Sequence, residues 1–354
     1  MKVAFSTLGC RVNQYESEAM AEKFIREGYE VVDFSEIADV YVINTCTVTN
    51  MGDKKSRQII SKARRLNNNA IIAVVGCYSQ MAPKEVSEIE GVDVVLGTRN
   101  KGDVVYYVNK ARDEEKVQVH VEGVLKNKKF EDLNIEEYQD KTRAFLKIQD
   151  GCNRFCTYCA IPYARGSVCS KEPRKVIDEV KKLASHGFKE VILSGIHTAS
   201  YGLDLDGNIT LIDLIEDIEK IHGIERVRIG SIEPAFFTNE VIEKIKGFKK
   251  LCPHFHLSLQ SGCNTVLKRM NRRYTAEEYE HIVNILRDNI KDVSISTDVI
   301  VGFPGETEEE FNETYEFLKR IKLTKTHIFK YSPRKGTRAA EMKGQLDGKI
   351  KEER

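Results

Sequence analysis

The chain has 354 residues, of which 31% are charged and 41% hydrophobic, with a formal net charge of +1. That length is too great for one ordinary core and fits two domains, and the composition is that of a soluble globular protein. No run nears the roughly 18 apolar residues needed to cross a bilayer, and the balanced charge gives no global nucleic-acid signal, so RNA contact must come from local basic surface. The first residues, Met1-Lys2-Val3-Ala4-Phe5-Ser6-Thr7, are too few and too polar for a secretory leader. A cytoplasmic location follows, and there the nine cysteines act as metal ligands or free thiols rather than disulfides.

Residues 1–97 alternate short apolar runs with helical stretches. Strands are predicted at 2–7, 31–34, 40–44, 70–75 and 92–96, and helices at 14–27, 54–66 and 81–89. Strand–helix alternation implies an open, largely parallel α/β sheet. Cys10, Cys46 and Cys77 each stand just past the carboxyl end of a predicted strand, the edge where such sheets place ligand crevices. One reading makes them three buried small hydrophobes. The other brings them together as the ligands of an open iron–sulfur cluster. The settings Gly9-Cys10, Thr45-Cys46 and Gly76-Cys77, at strand ends rather than inside strands, favour the second. The helix after Cys46 carries Lys54, Lys55, Arg57, Lys62, Arg64 and Arg65, either a solvated face or a surface that steers phosphates.

Residues 109–142 are charge-rich, with Asp113-Glu114-Glu115-Lys116 and Lys126-Asn127-Lys128-Lys129 around a short alternation at 117–121. This stretch reads as a linker with at most one strand pair. A second βα rhythm then begins, with strands predicted at 144–148, 190–193, 226–230, 254–259, 293–301 and 326–329. Helices are predicted at 173–185, 211–221, 239–246, 276–288 and 308–321, two of them opened by the capping boxes Thr275-x-x-Glu278 and Thr307-x-x-Glu310. The fold class is therefore α/β: an open parallel sheet followed by a (β/α)6 partial TIM-type barrel, whose active site belongs at the carboxyl ends of its strands.

Cys152, Cys156 and Cys159 follow the first barrel strand at spacing C-x3-C-x2-C. Three thiolates on one short loop can wrap one face of a metal cluster. With no fourth cysteine at a matching step, the pattern points to a [4Fe–4S] cluster with one iron left open. A thiol redox pair at Cys156-x-x-Cys159 leaves Cys152 unexplained. A zinc site lacks a near fourth ligand, since Cys169 is ten residues beyond Cys159 and the loop holds no histidine. Other strand ends carry Ser194-Gly195-Ile196-His197, Ser231-Ile232-Glu233-Pro234, Gln260-Ser261-Gly262 and Gly302-Phe303-Pro304-Gly305-Glu306. Singly these are ordinary turns; together they line one barrel mouth.

The triplet after the first strand of such a barrel resembles the radical S-adenosylmethionine (SAM) enzymes. The cysteines of the preceding sheet resemble those of the methylthiotransferase subgroup. Asn44-Thr45-Cys46-Thr47-Val48-Thr49-Asn50, Asp53-Lys54-Lys55-Ser56-Arg57-Gln58 and Tyr331-Ser332-Pro333-Arg334-Lys335-Gly336-Thr337 are similar to the branch acting on threonylcarbamoyladenosine in bacterial tRNA. The resemblance implies two [4Fe–4S] clusters, one on Cys152, Cys156 and Cys159, the other on Cys10, Cys46 and Cys77. It implies SAM contacts at Ser194, Gly195, Glu233, Gln260 and Arg273. The implied chemistry is hydrogen abstraction at carbon 2 of the adenine by a 5′-deoxyadenosyl radical. Sulfur then comes from the auxiliary cluster and the methyl group from a second SAM. Implied partners are tRNA carrying threonylcarbamoyladenosine and a one-electron reductant, with the chain a monomer. Lys268, Arg269, Arg272 and Arg273 join the Lys54–Arg65 helix as expected phosphate contacts.

Two departures stand out. Cys169 occupies a position where relatives usually have arginine, and with Cys252 and Cys263 it reads as a spare thiol. The family's RNA-gripping TRAM domain is expected to be absent, giving boundaries of 1–112 for the amino-terminal domain, 113–140 for the linker and 141–354 for the radical SAM core. Alternative substrates within the same chemistry are isopentenyladenosine in tRNA and a ribosomal protein side chain. From another class, the alternative is a non-catalytic iron–sulfur or zinc nucleic-acid-binding protein.

Overall fold

The computed structural model describes residues 1–125, 129–133, 135 and 143–354. It divides into two compact units, one of Met1–Lys141, Phe145–Asn153 and Ala160–Lys171, the other of Thr142–Ala144, Arg154–Cys159 and Glu172–Arg354.

The first unit is built on β1 (Lys2–Thr7), β2 (Glu30–Val32), β3 (Val40–Thr45), β4 (Ile71–Gly76), β5 (Val94–Leu96) and β6 (Gln118–His120). These form one sheet in the order β2-β1-β3-β4-β5-β6, with every neighbouring pair parallel. Successive side chains of a strand point to opposite faces, and the core follows that rule. Val40, Val42, Ala73 and Val75 pack on one face with Met20 and Phe24 of α1 (Arg11–Arg26). Tyr41, Ile43, Ile72 and Val74 pack on the other with Ile60 and Ala63 of α2 (Asn50–Leu66). The strand order reverses between β1 and β3, and the carboxyl ends of those strands are where this fold opens a ligand crevice.

Several boundaries differ from expectation for physical reasons. The helix predicted at 81–89 is two short ones, α3 (Cys77–Met81) and α4 (Pro83–Ser87), parted at Ala82. Pro83 has no N–H to continue a helix and disfavours helical backbone at the residue before it. The linker expected from residue 113 is corrected at its start. Val104, Val105, Val108 and Ala111 bury one face of α5 (Val104–Glu114), which crosses over to β6 at the sheet edge. The sheet therefore runs past residue 112 to His120. Of the rest of that stretch, residues 126–128, 134 and 136–140, including most of the Lys126–Lys129 run, lie outside the described residues.

In the second unit the strands Glu190–Ser194, Arg226–Ile229 with Ser231–Ile232, His254–Leu257, Ser294–Val301 and Lys325–Lys330 are parallel, each beside the next in sequence. The second of these is interrupted at Gly230, and a bridge between Val227 and Leu251 carries the sheet across the break. A further strand, Arg143–Lys147, precedes these in the chain. Helices Pro173–Ser185, Leu211–Glu219, Asn239–Gly247, Ala276–Asn289 and Glu308–Ile321 make the crossovers. Both expected capping boxes form, and Thr210 with Asp213 makes a third. Parallel strands in sequential order with crossover helices are the partial-barrel plan.

Candidate functional site

In the first unit the three isolated cysteines meet at the switch point. Cys10 caps the start of α1, Cys46 precedes Thr49, the N-cap of α2, and Cys77 opens α3. Each thiol thus sits by a helix amino terminus, where the backbone dipoles favour negative charge. The close approach depends on glycine. Gly9 has φ +100°, and a Cβ there would lie 2.8 Å from Cys46 Sγ. Gly76, also at φ +100°, would drive a Cβ to 2.7 Å from the Thr45 carbonyl oxygen. No other residue accepts that backbone at so little cost.

Hydrogen bonds knit the three loops together. Asn13 Nδ2 donates to Leu8 O at 2.7 Å and to Thr45 O at 3.0 Å. Asn44 Nδ2 returns a bond to Asn13 O at 2.9 Å. Thr45 Oγ1 donates to Val75 O at 2.6 Å and accepts from the Tyr78 N–H at 3.3 Å, bracketing Cys77. Cys10 is exposed, Cys46 half-buried and Cys77 buried, so the group runs from solvent into the interior. Burial, with Cys77 next, pushes the Cys46 thiol up to about 11. Burial likewise raises Cys77, against the pull of Arg165 and Lys101. Metal binding to such thiols displaces their protons.

Beneath the trio lies a buried ion network absent from the sequence-based expectations. Glu16, on α1, accepts from Lys101, from Lys147 at 2.8 Å and from Arg165 Nη1 at 2.7 Å. Asp150 holds Lys147 at 2.7 Å and Arg165 at 3.2 Å. All five side chains are wholly enclosed. Burial alone would raise the Glu16 carboxyl, but Arg165, Lys101 and Lys147 together hold it well below the usual range. Cys169, expected to be a spare thiol, is buried and takes the Arg99 Nη1 donor at 2.6 Å.

The C-x3-C-x2-C loop spans both units in sequence. In the first, Gly151 (φ +71°) turns the chain, and the Cys152 N–H bonds Gly166 O at 3.0 Å. In the second, Phe155 takes the left-handed region at φ +49°, and a turn from the Cys159 N–H to Cys156 O closes at 2.9 Å. Segment 269–271 pins this part of the loop. Thr157 bonds Met270 O at 3.1 Å and Arg269 O at 2.9 Å, while Asn271 Nδ2 reaches Phe155 O at 3.1 Å. Among the described residues no three His, Cys, Asp or Glu side chains could hold a single metal ion. An iron–sulfur cube instead offers each thiolate a separate iron corner.

At the strand ends of the second unit, Glu233 is the centre of a charged group. It pairs with Arg154 at 2.5 Å, His197 at 3.1 Å and Arg272 at 3.6 Å. Arg272 Nη1 also donates to Cys156 Sγ at 3.3 Å. Ser194 and Gln260 are buried, Gln260 in the left-handed region at φ +75°, and Gly195 is half-buried. Arg273 is exposed, and its neighbour Arg272 turns inward to Glu233. Of the four expected phosphate contacts, Arg272 is enclosed and Arg269 is clamped by both oxygens of Glu310. Lys268 and Arg273 are the two of the four that remain exposed.

Burial raises the Glu233 carboxyl, but the His197 hydrogen bond and then Arg272 and Arg154 bring it down to about 2. Its contribution to stability is therefore complete above the ordinary carboxylate value near 4.5 and is lost as pH falls through about 2. The shift corresponds to roughly 3 kcal/mol between those limits, an upper value for a partly solvated group. Glu233→Gln is expected to flatten the decline in thermal midpoint between pH 5 and pH 3 relative to the unaltered chain. An unchanged slope would assign that acid sensitivity to other carboxylates.

Residues 146–318 match the radical SAM superfamily, and residues 2–97 match the Uncharacterized protein family UPF0004. The chain is 48% identical over 353 residues to the threonylcarbamoyladenosine tRNA methylthiotransferase MtaB of Bacillus subtilis (strain 168), covering 99% of this chain and 78% of that protein. It is 47% identical to the MtaB of Aquifex aeolicus (strain VF5), covering 100% of this chain and 86% of the relative. Identity to the tRNA-2-methylthio-N(6)-dimethylallyladenosine synthase of Clostridium botulinum (strain Loch Maree / Type A3) is 39%, over 98% of this chain and 78% of that one. Among solved structures, the radical S-adenosylmethionine methyltransferase TsrM of Kitasatospora setae, with cobalamin and a [4Fe–4S] cluster bound, superimposes with a TM-score of 0.71. That match has 16% identity and covers 96% of this chain and 77% of TsrM, a likeness of fold. Two thiol sets, a parallel sheet ahead of a partial barrel, and near-full-length identity to curated relatives lead to one conclusion: this chain belongs to the radical SAM methylthiotransferase family.

Proposed function

We propose that the chain attaches a methylthio group to carbon 2 of threonylcarbamoyladenosine in tRNA, next to the anticodon. The observation that carries this reading is the convergence of Cys10, Cys46 and Cys77 at the switch point of a sheet that precedes a radical SAM barrel. The substrate follows from relatives at 48% and 47% identity, both named for threonylcarbamoyladenosine.

In this reading Cys152, Cys156 and Cys159 hold one [4Fe–4S] cluster, and Cys10, Cys46 and Cys77 hold the other. The donor sets fit: three thiols each, with Gly9 lacking the Cβ that would press on Cys46 Sγ. When bound, the clusters and SAM supply one-electron chemistry and sulfur, the hard steps that side chains cannot perform. Arg272 orients Cys156 through its N–H···S contact. Ser194, Gly195, Glu233, Gln260 and Arg273 offer polar groups to SAM, and Glu233 does so as a carboxylate. A one-electron reductant, a cytoplasmic location and a monomeric state complete the proposal. So does a division into the sheet domain, the charged linker and the barrel core.

The decisive experiment is anaerobic reconstitution, incubation with SAM, reductant and unmodified-at-C2 tRNA, and mass spectrometry of the nucleosides. The expected product is 2-methylthio-threonylcarbamoyladenosine. A methylthio group on dimethylallyladenosine alone would overturn the substrate, and absence of 5′-deoxyadenosine would overturn the radical reading altogether.

Lys54 and Lys55 on α2 are exposed beyond Cys46 and available to tRNA phosphates, whereas Arg57 is engaged by Tyr78 and Glu85, and Arg64 by Asp93. Reversing both lysines to glutamate is expected to reduce the slope of log affinity against log salt by about two, close to one per contact. An unaltered slope in a filter-binding titration would remove this face from the RNA interface.

A further inference from the structure

Arg165 faces two ways within the first unit. On one side it is clamped to Glu16 and Asp150. On the other, its Nη2 donates to Asn13 Oδ1 at 2.5 Å, and that same oxygen lies 3.9 Å from Cys10 Sγ. Asn13 in turn bonds the backbone just ahead of Cys10 and Cys46. Arg165 is within electrostatic reach of Cys10, Cys46 and Cys77. Its Nε donor is buried and has no partner among the described residues.

The charge count sharpens the point. Arg99, Lys101, Lys147 and Arg165 stand against Glu16, Asp150 and Glu131, all buried or nearly so. Among the described residues, four cations face three carboxylates here, and burial pushes the Glu131 carboxyl up. A buried surplus of positive charge is costly unless an anion faces it. Three neutral thiols supply none. Three thiolates on an iron–sulfur cube make a net anion, more negative once reduced, and charge and hydrogen bonding around a cluster set its potential.

We infer that Arg165, joined to Cys10 through Asn13, is a positioning residue whose buried charge anchors the cluster of Cys10, Cys46 and Cys77 and raises its reduction potential. This rests on the reading that the trio holds that cluster. The step at issue is the addition of one electron to the cluster, supplied in the test by dithionite.

The test uses the full chain with Cys152, Cys156 and Cys159 replaced by alanine, so that the trio's cluster alone remains. Iron is counted, and the cluster is titrated by paramagnetic resonance at controlled potential. Adding Arg165→Gln is expected to shift the one-electron equilibrium at least tenfold toward the oxidised form, a fall of about 59 mV. Arg165→Lys, which keeps the charge, is expected to stay within threefold of the parent. Lys101→Met leaves Glu16 its bonds to Lys147 and Arg165, and is expected to move the potential in the same direction as Arg165→Gln. A folded, iron-loaded Arg165→Gln protein with the parent's potential overturns the inference. Should that variant fail to fold, Lys101→Met decides, and an unmoved potential there overturns it equally. A parent without iron instead overturns the reading of the trio as cluster ligands, a result distinct from either.

Discussion

A Cys46→Ala chain is expected to bind about four irons where the unaltered chain binds about eight, to go on cleaving SAM to 5′-deoxyadenosine, and to release no methylthio nucleoside. The separation follows from where the thiols sit. Cys46 lies between Gly9 and Gly52, in reach of Cys10 and Cys77, in the first unit. Cys156 and Cys159 belong to the second, tied down by Thr157, Asn271 and Arg272. No hydrogen bond among these pins depends on Cys46. Nucleoside mass spectrometry beside quantitation of 5′-deoxyadenosine checks the outcome. Loss of SAM cleavage together with product would mean that one set of thiols cannot work without the other.

Glu16→Ala is expected to cost about 3–5 kcal/mol of folding stability, the range for breaking a buried pair by removing one partner. Against a typical total of roughly 5–15 kcal/mol, that is a large share. Three cations converge on this one carboxylate, and all of them are enclosed. Alanine would leave Lys101 without its counter-ion and Lys147 and Arg165 to share Asp150. The contrast is Glu316→Ala, which removes the partner of Lys319 on an exposed helix face and is expected to change stability by less than about 1 kcal/mol. Urea midpoints of the two variants, taken side by side, test the difference. Equal midpoints would show that water reaches the Glu16 cluster.

Much of this architecture can be read in the chain because strand ends and glycines are local signals. Gly9-Cys10 and Gly76-Cys77 announce a backbone that only glycine takes easily, and β-branched runs mark the strands in front of them. What stays hidden depends on distant partners. Glu16 looks like any charged residue on an amphipathic helix, and its burial is decided by Lys101, Lys147 and Arg165, 85 to 149 positions away. Arg272 and Arg273 are adjacent and chemically alike. Arg272 turns inward and Arg273 outward just after the left-handed turn at Asn271, with φ +59°, and no periodicity in the sequence reports that. The helix over 104–114 is not legible because the charge run at its end masks a short apolar face.

The placement of Lys147, Asp150 and Arg165 bears on modularity. These residues are encoded after the sheet, yet they complete its interior. A gene fragment ending near residue 140 would supply all the strands and all three thiols of the sheet, but would strand Glu16 with Lys101 alone. Recombination could not lift this half out as a portable cassette without also carrying the segment through Lys171. Sheet and early barrel sequence must therefore be inherited as one piece.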